Sequence, residues 1–287
     1  MTVAVLGPGA VGGVLTVGFV QAGVRVVCIA RPATAEVIRS EGLTLRQGEN
    51  VQMAHPDVAT RLQEPAELLL VTVKAPSLDA ALDRVDAPVE TVVPLLNGIE
   101  HIETLRARLP DSNVVAGSIG RIEAWLERPG VVVQPTASVV MTVAAGGPAE
   151  LLSRSGVEVR VDGSAAEVLW EKLARQAPTA AATAVTQRPI GELRRDPEWR
   201  GRLRAAIEET RAVAAADGVQ LSADAEWEII EAMPPLLTSS TARDIGAGVP
   251  SELDAITGAA VRAGQRLGVE TPVLTQMFAE ACRASLR

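Results

Sequence analysis

Val3-Ala4-Val5-Leu6-Gly7-Pro8-Gly9-Ala10-Val11-Gly12-Gly13 is the stretch that decides the fold of this 287-residue chain. Four apolar residues, two of them valines, read as a short buried strand, and a glycine turn then opens a helix. Gly7 allows the chain to reverse tightly. Gly9 has no side chain to hold a diphosphate away from the backbone, and Gly12 lets the helix pack closely on the strand. Free N–H groups at the helix start, together with the positive end of its dipole, make an anion site. A bare G-x-G-x-x-G also occurs in ordinary tight turns. Here it stands between a strand pattern and a helical pattern over residues 10–22, which Gly23 ends and a second strand, residues 24–29, follows. That context makes Gly7, Pro8, Gly9, Ala10, Val11 and Gly12 a dinucleotide-binding loop.

The second strand ends in Ala30-Arg31-Pro32. A site for NAD places an acidic residue about here to hold the ribose hydroxyls, whereas an arginine accommodates the 2′-phosphate of NADP. Arg31 therefore points to NADP, the other reading being a solvated arginine at a strand end. Residues 36–42 read as a short helix, and 43–45 with 51–53 as a hairpin. The run Leu68-Leu69-Leu70-Val71-Thr72-Val73 reads as a fully buried parallel strand. It ends in Lys74, at the sheet edge where ligands of such folds lie. A helix over 76–85 and a buried strand over 91–96 follow, the latter ending in Asn97-Gly98. Another strand is expected over 113–118, an antiparallel extension over 131–134 and 139–144, and an edge strand over 157–161.

At Asp162-Gly163-Ser164 the texture changes, and from there on only helical periodicity with caps is visible. One long helix is expected over 165–184, with a kink at Pro178, then helices over 199–216 and 222–233. Ser251 with Asp254 reads as a capping box, and Thr271-Pro272 as the cap of the last helix, with proline at the first helical position. The expected domains are thus residues 1–163, binding the nucleotide, and 164–287, helical and carrying substrate and catalytic groups.

Composition excludes several classes. The chain is 47% hydrophobic and 22% charged with net charge −8, and it has no basic cluster, so nucleic acid and anionic membrane are not expected partners. No apolar run approaches a membrane span and no signal peptide is read, which leads to the expectation of a cytoplasmic protein. Two cysteines, Cys28 and Cys282, and two histidines, His55 and His101, provide neither a disulfide framework nor metal spacing. Of 27 basic residues only Lys74 and Lys172 are lysines. Arginine replaces lysine on a surface but fails where a compact ammonium must release a proton. A chain so biased keeps lysine where chemistry demands it.

These residues together resemble the ketopantoate reductase (2-dehydropantoate 2-reductase) family over nearly the full chain. The resemblance rests on the glycine loop, Ala30-Arg31, Val73-Lys74-Ala75, Leu96-Asn97-Gly98, Trp170-Glu171-Lys172-Leu173 and Gly191-Glu192-Leu193. It continues in Thr238-Ser239-Ser240, Arg243-Asp244 and Ser251-Glu252-Leu253-Asp254-Ala255-Ile256-Thr257-Gly258. It implies an α/β Rossmann-like N-terminal domain followed by an all-α C-terminal domain of the 6-phosphogluconate dehydrogenase C-terminal kind. It also implies NADPH-dependent reduction of a 2-oxo acid to a 2-hydroxy acid, the small-molecule substrate being 2-dehydropantoate and the pathway pantothenate and coenzyme A synthesis. A homodimer is compatible with the sequence, which sets no oligomeric state.

The resemblance implies roles residue by residue. Lys172 matches the general acid, and Glu252 the carboxylate near the reacting oxygen and hydroxyl, although an acidic residue in a first helical turn is favoured anyway. Asn97 matches an asparagine reaching the nicotinamide ribose and the substrate, a turn asparagine being the plainer reading. Lys74 matches a lysine at the cofactor end of the cleft, hydrogen-bonded to ribose or substrate. Ser240 matches a serine on the substrate carboxylate, or else caps a helix. His55 and His101 are weaker acid candidates, read as exposed loop histidines.

The chain departs from the family where other members carry asparagines, having Gln176, Ala180 and Ile190. Gln176 can still hydrogen-bond; the other two side chains cannot, so the pocket looks more apolar than ketopantoate's hydroxyl requires. A relative acting on another branched or aryl 2-oxo acid is therefore the alternative. A non-catalytic NADP-binding regulator is a third, which Lys172 and Glu252 together argue against. Arg31→Ala is expected to weaken NADPH roughly tenfold or more, the loss of one charge-assisted contact, with little effect on NADH. Equal losses in titrations of the two cofactors would show that Arg31 does not read the 2′-phosphate.

Overall fold

The computed structural model describes residues 1–120, 122–136 and 138–286, and the chain divides into two compact units. Met1–Leu96 with His101–Val168 make the first; Asn97–Glu100 with Leu169–Arg287 make the second. The segment 97–100 thus packs with the second unit although its sequence neighbours on both sides belong to the first.

In the first unit a parallel sheet orders its strands Asp57–Ala59, Arg25–Ile29, Thr2–Leu6, Ala66–Val71, Val89–Pro94 and Asn113–Val114. Numbered along the chain this is 3-2-1-4-5-6, the doubly wound order of the Rossmann fold. The central strands are covered on both faces, which is why Leu68, Leu69, Leu70 and Val71 form an unbroken apolar run with no exposed surface. Strand order reverses between Thr2–Leu6 and Ala66–Val71. The chain leaving those two strands, at Gly7 and at Thr72-Val73-Lys74, therefore flanks the switch point.

The run 113–118, expected as one strand, is divided between two sheets. Only Asn113–Val114 pairs in the parallel sheet, while Gly117–Gly120 pairs antiparallel with Val140–Val143, itself parallel to Glu158–Val161. Gly117 crosses so close that a β-carbon there would stand 2.8 Å from Val93 and 3.0 Å from the Pro94 carbonyl. The preceding strand likewise ends at Pro94 rather than at Leu96. The helix expected over 76–85 is shorter, a 3₁₀ turn Ala75–Ser77 and then Leu78–Leu82. The strand Trp125–Arg128 had no legible pattern because all four of its residues are exposed.

After Glu158–Val161 the described residues form helices and no strand. Ala165–Thr186 runs through Pro178 without interruption. Proline has no N–H, so the Ala174 carbonyl loses its helical donor. The buried Thr210 hydroxyl, 3.0 Å from that oxygen, replaces it while also standing 2.7 Å from the Ala206 carbonyl of its own helix. Asp196, Ser222 and Ser239 cap the helices Pro197–Ala216, Ala223–Ala232 and Ser240–Gly246. Two expected caps are absent. Thr271 does not cap Pro272–Ala284; the Glu209 carboxylate takes the free amides of Val273 and Leu274 at 2.9 and 2.8 Å. Nor do Ser251 and Asp254 form a capping box. Residues Asp254–Gly258 make a π-helical turn, and the Asp254 carboxylate turns to Arg262 at 2.8 Å. No helix among the described residues is long and apolar enough to cross a membrane.

Thr210→Val keeps the shape of the side chain but leaves the Ala174 carbonyl buried without a donor. The urea midpoint should fall by an amount equivalent to about 1–3 kcal/mol. An unchanged midpoint would mean that the proline gap needs no filling.

Candidate active site

In the first unit the glycine loop is built for close approach. Gly7 has φ +90°, donates its amide to the Ile29 carbonyl at 3.0 Å, and a β-carbon there would collide with Val73. Thr72 Oγ1 donates to the Gly7 carbonyl at 2.7 Å, locking the turn to the next strand. A β-carbon at Gly12 would meet the Gly7 oxygen at 2.6 Å and Val5 at 3.1 Å, so the helix could not lie this close with any other residue. At Gly9 a β-carbon would approach nothing nearer than the Gly7 oxygen at 3.9 Å, so this face is open. The helix Ala10–Gln21 starts at Gly9 with no side-chain cap and no acid in its first turn. Its free amides and bare backbone fit a dinucleotide diphosphate. Arg31 is exposed at the N-cap of Pro32–Glu41, and its guanidinium has no hydrogen-bond partner among the described residues. Lys74 is exposed where the chain leaves Ala66–Val71.

The second unit assembles three of the expected site residues, Lys172, Gln176 and Glu252, around the side-chain amide of a fourth, Asn97. Lys172 Nζ donates to Asn97 Oδ1 at 2.9 Å, and Gln176 Nε2 donates to the same oxygen at 3.0 Å. Asn97 Nδ2 donates to Glu252 Oε2 at 2.9 Å. An ammonium only donates and a carboxylate only accepts, so the Asn97 amide has a single orientation that satisfies both. The same logic fixes Gln176: its nitrogen faces Asn97, and its buried Oε1 is left without a donor.

Local anchors hold these groups. Lys172 and Gln176 are four residues apart and share one helix face. The helix is pinned two residues before the lysine, where Trp170, buried, donates Nε1 to Asp217 at 2.7 Å. Glu252 is buried and precedes Leu253, which packs with Ala184 of the lysine helix and Ala281 of the last helix. Thr257 Oγ1 donates to the Ala177 carbonyl at 2.9 Å, stitching the π turn to the lysine helix.

Desolvation dominates the electrostatics. Lys172 is half-buried, and removal of water from its ammonium pushes its pKa down from 10.5 to about 8; Glu252 opposes the shift and Arg175 adds to it. Arg175 is itself held by Glu226 at 3.1 Å, a buried carboxylate whose pKa burial raises. The folded state therefore binds fewer protons than the unfolded chain between about pH 8 and 10.5. Keeping Lys172 charged costs stability below that window, and the cost is relieved as pH rises through it.

Other expected residues lie elsewhere. Ser240 is exposed as the first helical residue of Ser240–Gly246, the cap being Ser239, which accepts from the Ala242 amide at 3.0 Å. Ala180 and Ile190 are both buried. His101, expected in an exposed loop, is buried at the start of the helix His101–Arg108; His55 is exposed. No cluster of three or more potential metal ligands occurs among the described residues. Sequence reasoning missed the Arg175–Glu226 and Arg262–Glu100 ion pairs, whose partners lie 51 and 162 residues apart and leave no local signal.

A chain carrying both an open glycine loop on a doubly wound sheet and a depressed lysine among amides is built as a dinucleotide-dependent oxidoreductase. The model described as ketopantoate reductase PanE/ApbA matches residues 3–146, and that described as ketopantoate reductase PanE/ApbA C terminal matches 165–283. The chain is 30% identical to the 2-dehydropantoate 2-reductase of Caulobacter vibrioides over 99% of both chains, and 28% identical to that of Vibrio cholerae over 97% and 96%. Among solved structures, a PanE/ApbA family ketopantoate reductase from Ralstonia eutropha superposes with TM-score 0.87 at 30% identity, covering 99% and 98% of the chains. D-mandelate dehydrogenase with NADH and anilino(oxo)acetate shares the fold, with TM-score 0.88 at 22% identity over 99% and 98%. The chain belongs to the ketopantoate reductase family and is an oxidoreductase acting on a CH–OH group.

With only two lysines, a sample labelled with [¹³Cε]lysine should show two side-chain signals, assigned through Lys74→Arg. The Lys172 signal should titrate near pH 8. Titration above pH 10, in the range of a free lysine, would remove the desolvated acid from the site.

Proposed function

We propose that this chain is an NADPH-dependent reductase of 2-oxo acids, with 2-dehydropantoate (ketopantoate) as substrate and pantoate as product, a step toward pantothenate and coenzyme A. The observation that carries the reading is the hydrogen-bonded row Lys172–Asn97–Glu252 with its depressed lysine. Six relatives at this level of similarity include several named 2-dehydropantoate 2-reductase, which supports the substrate. The unpaired Arg31 supports a 2′-phosphate on the cofactor. The loop residues Gly7, Pro8, Gly9, Ala10, Val11 and Gly12 hold the diphosphate, with Lys74 and Asn97 toward the ribose and substrate. When bound, the cofactor supplies hydride to the carbonyl carbon.

The protein's part is charge and proton handling. As the carbonyl becomes a hydroxyl, negative charge grows on its oxygen, and the Lys172 ammonium stabilises that charge and donates the proton. A lysine lowered to about 8 is still charged at neutral pH yet gives its proton far more readily than a free one. Glu252 orients the substrate and balances the lysine charge. Gln176 offers its unpartnered Oε1 to a substrate hydroxyl, and the exposed Ser240 hydroxyl takes the carboxylate.

A second reading has its own support. Ala180 and Ile190 are buried and apolar where other members carry asparagines, which favours a branched or aryl 2-oxo acid without the hydroxyl.

Lys172→Ala should lower kcat by at least roughly 100-fold while NADPH still binds, and the wild-type reduction rate should fall as pH rises past about 8, where the acid is lost. Near-normal turnover by the variant would remove Lys172 from the mechanism. A panel of 2-oxo acids with NADPH decides the substrate: ketopantoate best by a wide margin supports the first reading, and an aryl or branched acid best supports the second.

A further inference from the structure

We propose that Arg262 is a positioning residue, whose guanidinium clamps the segment 97–100 onto the π-helical turn after Glu252 and so holds Asn97 between Lys172 and Glu252. The inference rests on reading those three residues as the reducing site, and it adds a residue that touches none of them.

One guanidinium makes every link of the clamp. Arg262 Nε donates to Glu100 Oε1 at 2.9 Å and Nη2 to Glu100 Oε2 at 2.7 Å, a two-pronged grip on one carboxylate. Nη1 donates to Asp254 Oδ1 at 2.8 Å, and Nη2 also reaches the Asp254 backbone carbonyl at 3.1 Å. Glu100 lies three residues after Asn97, and Asp254 lies two after Glu252. The arginine therefore ties the loop that carries the amide to the turn that carries the carboxylate.

The backbone is shaped for this contact. Gly98 has φ +87°, and a β-carbon on it would run into the Ala255 carbonyl, so loop and turn meet main chain to main chain. At Gly258 a β-carbon would stand 2.7 Å from Asp254 Oδ1 and 3.0 Å from Arg262 Nη1, so glycine leaves room for the guanidinium. The π turn widens the helix by a residue at this spot, a device frequent at functional sites. Its far side is already tied to the lysine helix through Thr257 and Ala177.

Exposure indicates what the clamp does. The Arg262 and Glu100 side chains each retain 38% of their accessibility, so this pair trades protein for water contacts and adds little to stability. Its two-pronged geometry fixes direction, which a lysine's point charge cannot. A displacement of about 1 Å in a catalytic group can cost a hundredfold in rate.

The test is a double-mutant cycle of Arg262→Ala with Asn97→Ala, read on the Lys172 ionisation in [¹³Cε]lysine protein and on kcat. Arg262→Ala should raise the Lys172 pKa by roughly half a unit or more as water reaches the ammonium. It should lower kcat roughly 10- to 100-fold with KM for NADPH unchanged. In the Asn97→Ala background it should add nothing, because the clamp acts through that amide. Arg262→Lys should not restore the wild-type values, and Glu100→Gln should shift both readouts the same way by less, which covers failure of Arg262→Ala to fold. A wild-type Lys172 pKa and kcat in Arg262→Ala would overturn the proposal, as would effects fully additive with Asn97→Ala, the signature of a distant charge. If no 2-oxo acid is reduced by the wild type while the ionisation cycle behaves as stated, the proposed reaction fails and the clamp stands.

Discussion

The primary amide of Asn97 is the constraint on which the site depends. It accepts from an ammonium and a glutamine on one side and donates to a carboxylate on the other, and no rotation of it satisfies both charged neighbours in another way. The amide and its neighbours come from three parts of the chain: a loop after a strand carries Asn97, one long helix carries Lys172 and Gln176, and the entry to a π turn carries Glu252. The fold must therefore bring three backbone segments to one point. Gly98, Thr257, Leu253 and Trp170 each fix one of those approaches with a specific contact.

Lys172 shows why burial and charge have to be balanced here. A fully solvated lysine would be too weak an acid, and one paired without desolvation would be weaker still. Loss of water is the larger influence at this position and Glu252 the smaller, so the residue stays charged at neutral pH yet gives up its proton readily. The Arg175–Glu226 pair adds a positive neighbour anchored on a buried carboxylate, which reinforces the same direction. The near-absence of lysine elsewhere is consistent with arginine serving all purely structural charge in this chain.

The glycine loop works by a different economy, that of space. Gly7 and Gly12 are required by what already surrounds them, whereas Gly9 faces open ground. The two kinds of glycine look identical in sequence, and only their surroundings separate a glycine required by packing from one whose face is open.

Sequence alone determined the parallel doubly wound sheet, the glycine loop and the change to helices near residue 163, because these depend on local apolar periodicity and turn chemistry. It also singled out Lys172 and Glu252, through scarcity of lysine and through motif. The tertiary structure decided what those residues do to one another: that Asn97 is the bridge, that Gln176 keeps an unpaired oxygen, that Glu209 rather than Thr271 caps the last helix, and that Asp254 serves Arg262 rather than a capping box. The reason is physical. Periodicity and caps involve neighbours within a few residues, whereas a hydrogen bond between residues 100 and 262 is set by how whole segments pack, and nothing in either local stretch announces the other.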